Sequence, residues 1–478
     1  MRRHSTARST LFALSSALAV AGVLLATGSA AVAPATHSDW TRFGYTASRT
    51  SVGPLRTGIT AANLGSLRRQ QVRLDGTVDS SPVYLHAVTI GGSRHDAFFV
   101  TTTYGRTEAI DAASGAVLWR YTPPGFDSWA GSAQITTATP VADPSRAWIY
   151  AASPDGRIQK LSVAEGHAAW RTAVTLLPER EKIAAALNYW KGRVIATTGG
   201  YIGDAPPYQG HVAILAASSG KLLHVWNSLC SDRLRLQEPS TCPGSDSAIW
   251  GRSGAVVVPA TGDLLVATGN GPWDGRTNWG DSALKLSPDA TRLLGNWTPV
   301  NESELDSSDV DLGSTSPALL AGRYLVQGGK DGLLRLLLLA RMNGTAKAGP
   351  RKGGQLQTVQ APGTTDVFTA PAVWGRLVFV TTNAGTAAWQ LRGNRLHRLW
   401  QNRTPGTSPV VAGGLLFVYD PSGGLRVYVP RTGHLLKMLP SGGGHWNSPI
   451  VVDGRIALPE GDANNHEQSG VLDIWRAG

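Results

Sequence analysis

The stretch "TEAIDAASGAVLWRY", residues 107 to 121, contains the pattern that decides the fold. It reads as a strand, an Asp-containing turn that closes at Gly115, and a second strand that carries Trp119. Strand, tight turn and strand in this order predict an antiparallel hairpin. A hairpin alone buries little surface, so the question is whether the pattern recurs.

Variants of this hairpin recur along the chain. They are "RIQKLSVAEGHAAWRT" (157 to 172), "HVAILAASSGKLLHVW" (211 to 226), "ALKLSPDATRLLGNW" (283 to 297), "AAWQLRGNRLHRLW" (387 to 400), "LRVYVPRTGHLLKML" (425 to 439) and a terminal "LDIWRAG" (472 to 478). Between them lies a second element, a Ser/Thr-x-Pro sequence that leads into a short apolar strand, as in "TATPVAD" at 137 and "STSPALLAGRYLV" at 314. Each unit thus offers about four strands over ~40 to 50 residues, the size of a propeller blade.

The repeats predict an all-β fold, a β-propeller with four-stranded antiparallel blades. The units number seven or eight, with a degraded one at 330 to 345, so we predict eight blades with seven as the alternative. We expect the last strand, near Leu472 to Trp475, to close the ring on an N-terminal strand near Leu67 to Leu74. The recurrent tryptophans are predicted to pack between adjacent blades; they are Trp119, Trp170, Trp226, Trp297, Trp400 and Trp475.

The N-terminus has the features of an export signal. Arg2, Arg3 and Arg8 precede an apolar run and then small residues up to Ala35, which predicts a secretory signal peptide over residues 1 to 35 and a single propeller domain over 36 to 478. We therefore expect a secreted or periplasmic protein. No later apolar stretch reaches the ~20 residues of a membrane helix, so no transmembrane segment is predicted.

Cysteine content and charge narrow the class of protein. Cys230 and Cys242 are the two cysteines, and outside the cytoplasm such a pair is expected to form a disulfide. The formal net charge is +11, but the basic residues are scattered rather than clustered in a stripe or a known module. Nucleic-acid binding is therefore not predicted.

The repeats and the segment "DWTRFGYTASRTSVGPLRTGITAANLGSL" (39 to 67) resemble the eight-bladed quinoprotein dehydrogenases that bind pyrroloquinoline quinone (PQQ). The resemblance implies PQQ and calcium as cofactors, and an alcohol, sugar or polymeric alcohol as substrate. The sequence lacks the adjacent cysteines of many alcohol-oxidising members and has no Cys-x-x-Cys-His heme site. Electrons would therefore leave to a separate acceptor, a soluble cytochrome or a quinone.

The segment "IWGRSGAVVVPATGDLLVATGNGPW" (249 to 273) is similar to the family's cofactor region. The resemblance makes Trp250 the floor beneath the quinone, because an indole face stacks on a flat ring, and Asn270 a calcium ligand. Each residue also has an ordinary interpretation. Trp250 could be one more packed ring, and Asn270 could simply occupy a left-handed turn.

Three further assignments follow from the resemblance. In "ELDSSDVDLGSTSPALL" (304 to 320), Asp311 takes the place of the catalytic base, with Asp309 close by as a second metal carboxylate. In "GGKDGLL" (328 to 334), Lys330 takes the place of the basic residue that contacts the quinone oxygens. In "GGYIGDAPPYQGHVAIL" (199 to 215), Asp204 stands where family members have a calcium-binding Glu. The alternatives are a solvated acidic loop for Asp309 and Asp311 and an exposed turn lysine for Lys330. Asp204 is one methylene shorter than Glu in a loop of different length, so it could reach calcium only if the backbone came closer.

A propeller does not by itself define a function. The second hypothesis is therefore a non-catalytic propeller that acts as a protein-binding or envelope-assembly scaffold. The six candidate site residues discriminate between the two hypotheses, because an enzyme needs them in one place and a scaffold does not.

Overall fold

Eight four-stranded antiparallel sheets make up the computed structural model, which describes residues 37–342 and 351–477. The prediction of an eight-bladed all-β propeller is confirmed. The predicted signal peptide at 1 to 35 lies outside the described residues. The degraded unit at 330 to 345 falls in the fifth blade, and its last three residues also lie outside them.

The strands alternate regularly with tight turns. The first strand and the first four blades contain β1 (Leu67–Leu74), β2 (Val83–Ile90), β3 (Ser93–Thr101), β4 (Thr107–Asp111), β5 (Val117–Tyr121), β6 (Val141–Ala142), β7 (Trp148–Ser153), β8 (Arg157–Ser162), β9 (Ala168–Ala173), β10 (Asn188–Trp190), β11 (Arg193–Thr197), β12 (His211–Ala216), β13 (Leu222–Asn227), β14 (Val256–Val257), β15 (Leu264–Ala267), β16 (Ala283–Leu286) and β17 (Leu293–Trp297). The remaining blades contain β18 (Ala318–Leu320), β19 (Tyr324–Gln327), β20 (Leu333–Leu338), β21 (Gln357–Gln360), β22 (Ala372–Trp374), β23 (Leu377–Thr382), β24 (Gly385–Arg392), β25 (Arg395–Asn402), β26 (Val410–Ala412), β27 (Leu415–Tyr419), β28 (Leu425–Tyr428), β29 (Leu435–Leu439), β30 (Ile450–Val452), β31 (Arg455–Glu460) and β32 (Gly470–Ala477).

Helical structure is confined to short connections. One α-helix, α1, covers Glu302–Ser307, and the 3₁₀ turns of the described residues are Leu64–Ser66, Phe126–Ser128, Pro239–Thr241, Leu312–Ser314, Leu339–Arg341, Pro362–Thr364 and Ala463–Asn465. No helix within 37–342 and 351–477 is long and apolar enough to cross a membrane.

The eighth blade closes the ring. β1 pairs with β32 over eight residues, from Leu67 opposite Ala477 to Leu74 opposite Gly470, and β30 and β31 complete the sheet. The predicted closure between the two ends of the chain is confirmed. Closure pairs the first strand with the last one and so removes two strand edges that would otherwise be free.

The repeated tryptophans pack between blades, as predicted. Trp119, Trp170 and Trp400 each lie against a glycine in the hairpin turn of the following blade, and their indole N–H groups donate to carbonyls of the same blade. At Gly166, for example, a Cβ would come within 2.6 Å of the Trp119 ring, so only glycine fits there. Trp226, Trp297 and Trp475 are buried between consecutive blades as well.

The N-terminal segment runs across one face of the propeller. Thr41 accepts a hydrogen bond from β6, Ala47 from β14, Thr50 from β22 and Ser51 from β26, in each case from the second residue of an inner strand. Arg49 is buried and donates to the carbonyls of Phe43, Ala186 and Leu187. Because the inner strands end near this face, the loops that lead into them, including those that carry Trp250 and Asp311, lie on the opposite one.

A carboxyl pair at the ring closure predicts a pH dependence of stability. Burial raises the pKa of Asp473 to about 7; Arg69 opposes this shift, while the neighbouring Glu460 adds to it. Between about pH 4 and pH 7 the Asp473 carboxyl is protonated in the folded protein but ionised in the unfolded chain. The free energy of unfolding therefore falls as the pH rises across this range and through about 7. We expect Asp473→Asn to flatten the fall in unfolding free energy between pH 5 and pH 8. Denaturant unfolding at both pH values tests this, with Asp127→Asn on an exposed turn as the control. An equal slope in Asp473→Asn and the wild type would contradict it.

Candidate functional site

A cavity of about 760 Å³ opens on the face where the inner strands begin. The loops that lead into the blades and the turns between their second and third strands form its wall. All six residues predicted from the sequence line this one cavity: Asp204, Trp250, Asn270, Asp309, Asp311 and Lys330. They come from five separate loops, so the ring geometry brings them together.

The turn after β15 places Asn270 at the cavity wall. Its backbone N–H donates to Asp311 Oδ1 at 2.8 Å, and its carbonyl accepts from the Ser247 N–H at 2.5 Å. The preceding Gly269 is required by close packing, because a Cβ there would lie 2.0 Å from Asp311 Oδ1. No described residue hydrogen-bonds to the Asn270 side-chain amide, which leaves its oxygen available to a ligand.

Asp311 is a buried carboxylate next to this turn, with 3% of its surface exposed. Burial raises its pKa, and the opposing effect of the Lys330 ammonium, 2.5 Å from Oδ2, does not fully cancel that shift. A carboxyl group whose pKa is raised binds a proton more readily than an exposed aspartate does.

Lys330 connects two carboxylates. Besides Asp311, its ammonium contacts Asp309 Oδ1 at 2.9 Å and the Asp309 carbonyl at 3.1 Å. Asp309 is 61% exposed and adopts a positive φ of 52°, so it lies at the cavity rim while Asp311 lies inside. The positive charge between the two carboxylates is therefore supplied by the chain itself.

A third carboxyl group, Asp281, lies behind Asp311 and was missed in the sequence. Its Oδ1 accepts from the Leu312 N–H at 2.8 Å, and its own N–H donates to the Gly269 carbonyl at 2.7 Å. Its Oδ2 is buried and has no hydrogen-bond partner within the described chain. Burial raises the pKa of Asp281 to about 8. The residue joins the Asn270 turn to the Asp311 loop.

Asp204 lies on the same side of the cavity. Its φ is 44°, and its Oδ1 accepts a hydrogen bond from the Tyr208 hydroxyl at 2.9 Å. Burial raises the pKa of Tyr208, and the nearby charges of Asp204 and Asp246 raise it further. Burial also raises the pKa of Asp246. Several carboxylates therefore face one region of limited solvent access.

Aromatic rings form another part of the wall. The ring centroid of Trp250 lies 5.9 Å from that of Phe368, which in turn lies 5.5 Å from that of Trp446. Phe368 and Trp446 were not singled out from the sequence. They immediately precede blade-entry segments that resemble one another so closely that no local signal distinguished them.

A basic group lies in the wall together with these aromatic rings. Arg252 is buried, donates to the carbonyls of Asp79, Thr137 and Ala184, and has a pKa lowered to about 10 by burial. The Lys182 ammonium makes no hydrogen bond to any described residue, and burial lowers its pKa to about 8. The cavity thus has an acidic side and a basic side.

The buried Asp79 and the half-buried His445 form a pair beside this basic group. His445 Nδ1 lies 2.8 Å from Asp79 Oδ2, and the Trp446 N–H donates to Asp79 Oδ1 at 2.5 Å. Burial acts to raise the pKa of Asp79, but these hydrogen bonds and the charges of His445 and Arg252 outweigh it, so the pKa lies below the usual value. Both residues line the cavity and were missed in the sequence.

The predicted disulfide is present. Cys230 and Cys242 are bonded, with their Cα atoms 6.1 Å apart, in the loop between β13 and β14 that also carries Trp250. Cys230 N–H donates to Asn278 Oδ1 at 3.1 Å and Ser231 N–H to the Thr277 carbonyl at 2.9 Å. The disulfide therefore constrains part of a long loop that lies beside the Asn270 turn.

The fold and the cavity define an eight-bladed propeller with a charged, aromatic-lined pocket at one face. Residues 68–232 match the family of PQQ-like repeats described as outer membrane protein assembly factor BamB. The chain is 26% identical over 341 residues to quinohemoprotein alcohol dehydrogenase ADH IIB of Pseudomonas putida. The matched region covers 64% of this chain and 46% of that protein.

Solved structures show the same fold. The quinohemoprotein alcohol dehydrogenase of Comamonas testosteroni superposes with a TM-score of 0.67 at 17% identity, over 92% of this chain and 80% of that one. A europium-containing methanol dehydrogenase superposes with a TM-score of 0.68 at 16% identity, over 92% of this chain and 98% of that one. The chain is thus similar to PQQ-dependent dehydrogenase-like β-propellers in its repeats and in its fold. The chain spans less than half the length of the curated relatives it matches.

Proposed function

We propose that the protein is an exported oxidoreductase of the quinoprotein type. It would oxidise an alcohol, a sugar or a polymeric alcohol with PQQ and calcium, and pass the electrons to a separate soluble cytochrome or quinone. The observation that carries the proposal is the meeting of Trp250, Asn270, Asp311 and Lys330 on one cavity wall. Residues kept only for packing would have no reason to share a solvent-accessible pocket.

The cavity fits a planar, polycarboxylated quinone. Trp250 lines it and would offer its indole face to the ring system. Lys182 has an ammonium without a hydrogen-bond partner in the described chain, and it would hold a carboxylate, with Arg252 close by. A volume of about 760 Å³ accommodates both such a cofactor and a substrate.

The acidic side fits a hard divalent cation such as calcium. Asp311 and the free amide of Asn270 would supply oxygens, with Asp309 and Asp204 as further carboxylates. The buried, unpartnered Oδ2 of Asp281 adds negative potential in this region when that group is ionised. Such a set of oxygen donors suits calcium better than it suits a metal that prefers nitrogen or sulfur.

Asp311 would act as the base toward the substrate hydroxyl. Its raised pKa favours acceptance of a proton, and its hydrogen bond from the Asn270 N–H fixes the carboxylate in place. PQQ, when bound, supplies the two-electron acceptor for the hydride of the substrate carbon.

Lys330 would stabilise negative charge during the reaction. Its ammonium is held by Asp309 and Asp311, which raise its pKa against the effect of burial. The residue therefore stays protonated at neutral pH and can face both the base and an oxygen of the cofactor.

The second candidate is a non-catalytic scaffold. Its support is the description of the family that residues 68–232 match, an outer membrane assembly factor. The loop around Asp204, where the resemblance expects Glu, is the departure in the candidate site that favours it. A propeller of this kind would keep the blades and would need no cofactor.

Reconstitution separates the two functions. We expect PQQ with calcium to quench tryptophan fluorescence saturably and to support dye reduction with at least one class of alcohol. Trp250→Ala should weaken the affinity for PQQ, read from the quenching, by about fivefold or more, since the loss of a stacked ring costs about 1 kcal/mol or more. Trp374→Ala, in β22 away from the cavity, is the matched control. Folded protein that shows neither quenching nor dye reduction would favour the scaffold.

A further inference from the structure

A second cluster of metal-ligating side chains lies on the opposite face, at the seam where the ring closes. His86 and Asp96 belong to the first blade, in β2 and β3. Asp453 lies in the turn between β30 and β31 of the eighth blade, and His37 lies at the start of the N-terminal segment. Three parts of the chain that are far apart in sequence therefore meet at one point.

The nitrogen and oxygen atoms of this cluster converge closely. His37 Nδ1 lies 2.7 Å from Asp453 Oδ1, and His86 Nδ1 lies 3.2 Å from Asp453 Oδ2 and 2.8 Å from Asp96 Oδ1. The two imidazole rings are stacked, with centroids 4.1 Å apart and planes inclined by 11°. Ligand atoms of His37, His86 and Asp453 all lie within 4.8 Å of one another.

His86 Nδ1 is a buried nitrogen that has close carboxylate neighbours but makes no hydrogen bond with the described residues. It is inaccessible to solvent and has no hydrogen-bond partner among the residues the structure describes, although two carboxylate oxygens lie within 3.2 Å. The contacts are close but not aligned for a hydrogen bond. A buried nitrogen that faces two carboxylates without a hydrogen bond is poorly stabilised by protein groups alone.

We propose that His37, His86 and Asp453 bind one divalent transition-metal ion, with Asp96 as a fourth ligand. Two imidazole nitrogens and carboxylate oxygens are the ligands that zinc accepts in tetrahedral sites. Calcium prefers a shell of oxygens only, so it is the wrong ion for this set. The site is therefore distinct in chemistry, and in its place on the propeller, from the cavity.

The charges around the cluster agree with a bound cation. Asp453 and Asp96 bring two negative charges, while Arg455 lies 3.5 Å from Asp453 Oδ2 and 3.2 Å from Asp96 Oδ2. The Tyr84 hydroxyl donates to Asp453 Oδ2 at 2.6 Å. The two carboxylates and Arg455 together leave one net negative charge beside the ion, and the two neutral imidazoles would add nitrogen ligands. Tyr84 and Arg455 contact the carboxylates from outside the cluster and so orient them.

A metal here would join the N-terminal segment to both sides of the ring seam. Ligands from the first blade, the eighth blade and His37 would be fixed together only in the folded state. Binding should therefore stabilise the folded protein according to the ion concentration and its affinity.

Zinc titration of the metal-stripped protein tests the site. We expect saturable binding of one zinc ion per chain by isothermal titration calorimetry and a rise in melting temperature, and an excess of calcium should not displace the bound zinc. X-ray absorption of the zinc-loaded protein should show nitrogen and oxygen ligands at about 2.0 to 2.2 Å. None of these measurements depends on PQQ or on activity, so the site and the proposed function can fail separately.

His37→Ala is the decisive variant because His37 is 65% exposed and its removal leaves the fold intact. We expect it to lower zinc affinity at least tenfold and to reduce the thermal shift. His167→Ala, an exposed histidine on a hairpin turn, should leave both unchanged. Equal zinc affinity in the wild type and in His37→Ala, or no saturable binding by the wild type, would overturn the proposal.

Discussion

Asp311→Asn should lower kcat of the PQQ- and calcium-loaded protein by about 10² to 10⁴, the range for loss of a general base. Asparagine keeps the shape and can still accept from the Asn270 N–H, but it cannot take the proton of a substrate hydroxyl. Lys330 keeps Asp309 as its ion-pair partner, so the turn around it should hold. Dye reduction at saturating PQQ, calcium and substrate gives the rate.

Asp309→Asn is the matched control for this variant. The residue contacts the same ammonium but is 61% exposed at the rim, so we expect its substitution to cost less than tenfold in kcat. Fluorescence quenching shows whether each variant still binds PQQ. An Asp311→Asn protein that binds the cofactor and retains more than a tenth of wild-type kcat would remove Asp311 from the role of base.

Gly269→Ala should lower kcat by about 10², because a catalytic group displaced by about 1 Å loses its alignment with the substrate. The added Cβ would lie 2.0 Å from Asp311 Oδ1 and 3.0 Å from its Cγ. That carboxylate is held by the Asn270 N–H and by Lys330, so it cannot move away without breaking a contact. We also expect destabilisation of about 1 to 3 kcal/mol from overpacking.

Two comparisons separate misplacement of Asp311 from general damage. Gly65→Ala, where a Cβ would meet nothing within 4 Å, should behave as wild type in melting temperature and rate. The double variant Gly269→Ala with Asp311→Asn should be no slower than Asp311→Asn alone, because both act through one carboxylate. Wild-type kcat in Gly269→Ala, or additive losses in the double variant, would contradict this account.

The blade pattern was readable because it is local. A strand, a Gly-closed turn and a Trp lie within about 15 residues, and their spacing is set by the hairpin itself. The ring closure followed from the same reasoning, since a terminal half-blade needs a partner strand. The sequence left seven or eight blades as alternatives, because β20 and β21 lack the Trp-bearing hairpin pattern of most other blades.

The candidate site was predicted only in part. Trp250, Asn270 and Asp311 were found through motifs that the family resemblance made visible. Lys182, Arg252 and Asp281 carry no such motif, and each could equally be a surface charge in the sequence. Their importance comes from burial and from neighbours in other blades, which the order of residues does not show.

The repeating hairpins, the closure of the ring and the pairing of Cys230 with Cys242 could be predicted from the order of residues, because each depends on short-range pattern or on a pair without competitors. The position of Lys330 between Asp309 and Asp311, and the meeting of His37, His86 and Asp453 at the seam, became visible in the folded chain alone. Distances between side chains of different blades depend on how the ring closes. Burial and charge then act across those distances, so the chemistry of both sites is a property of the assembled propeller.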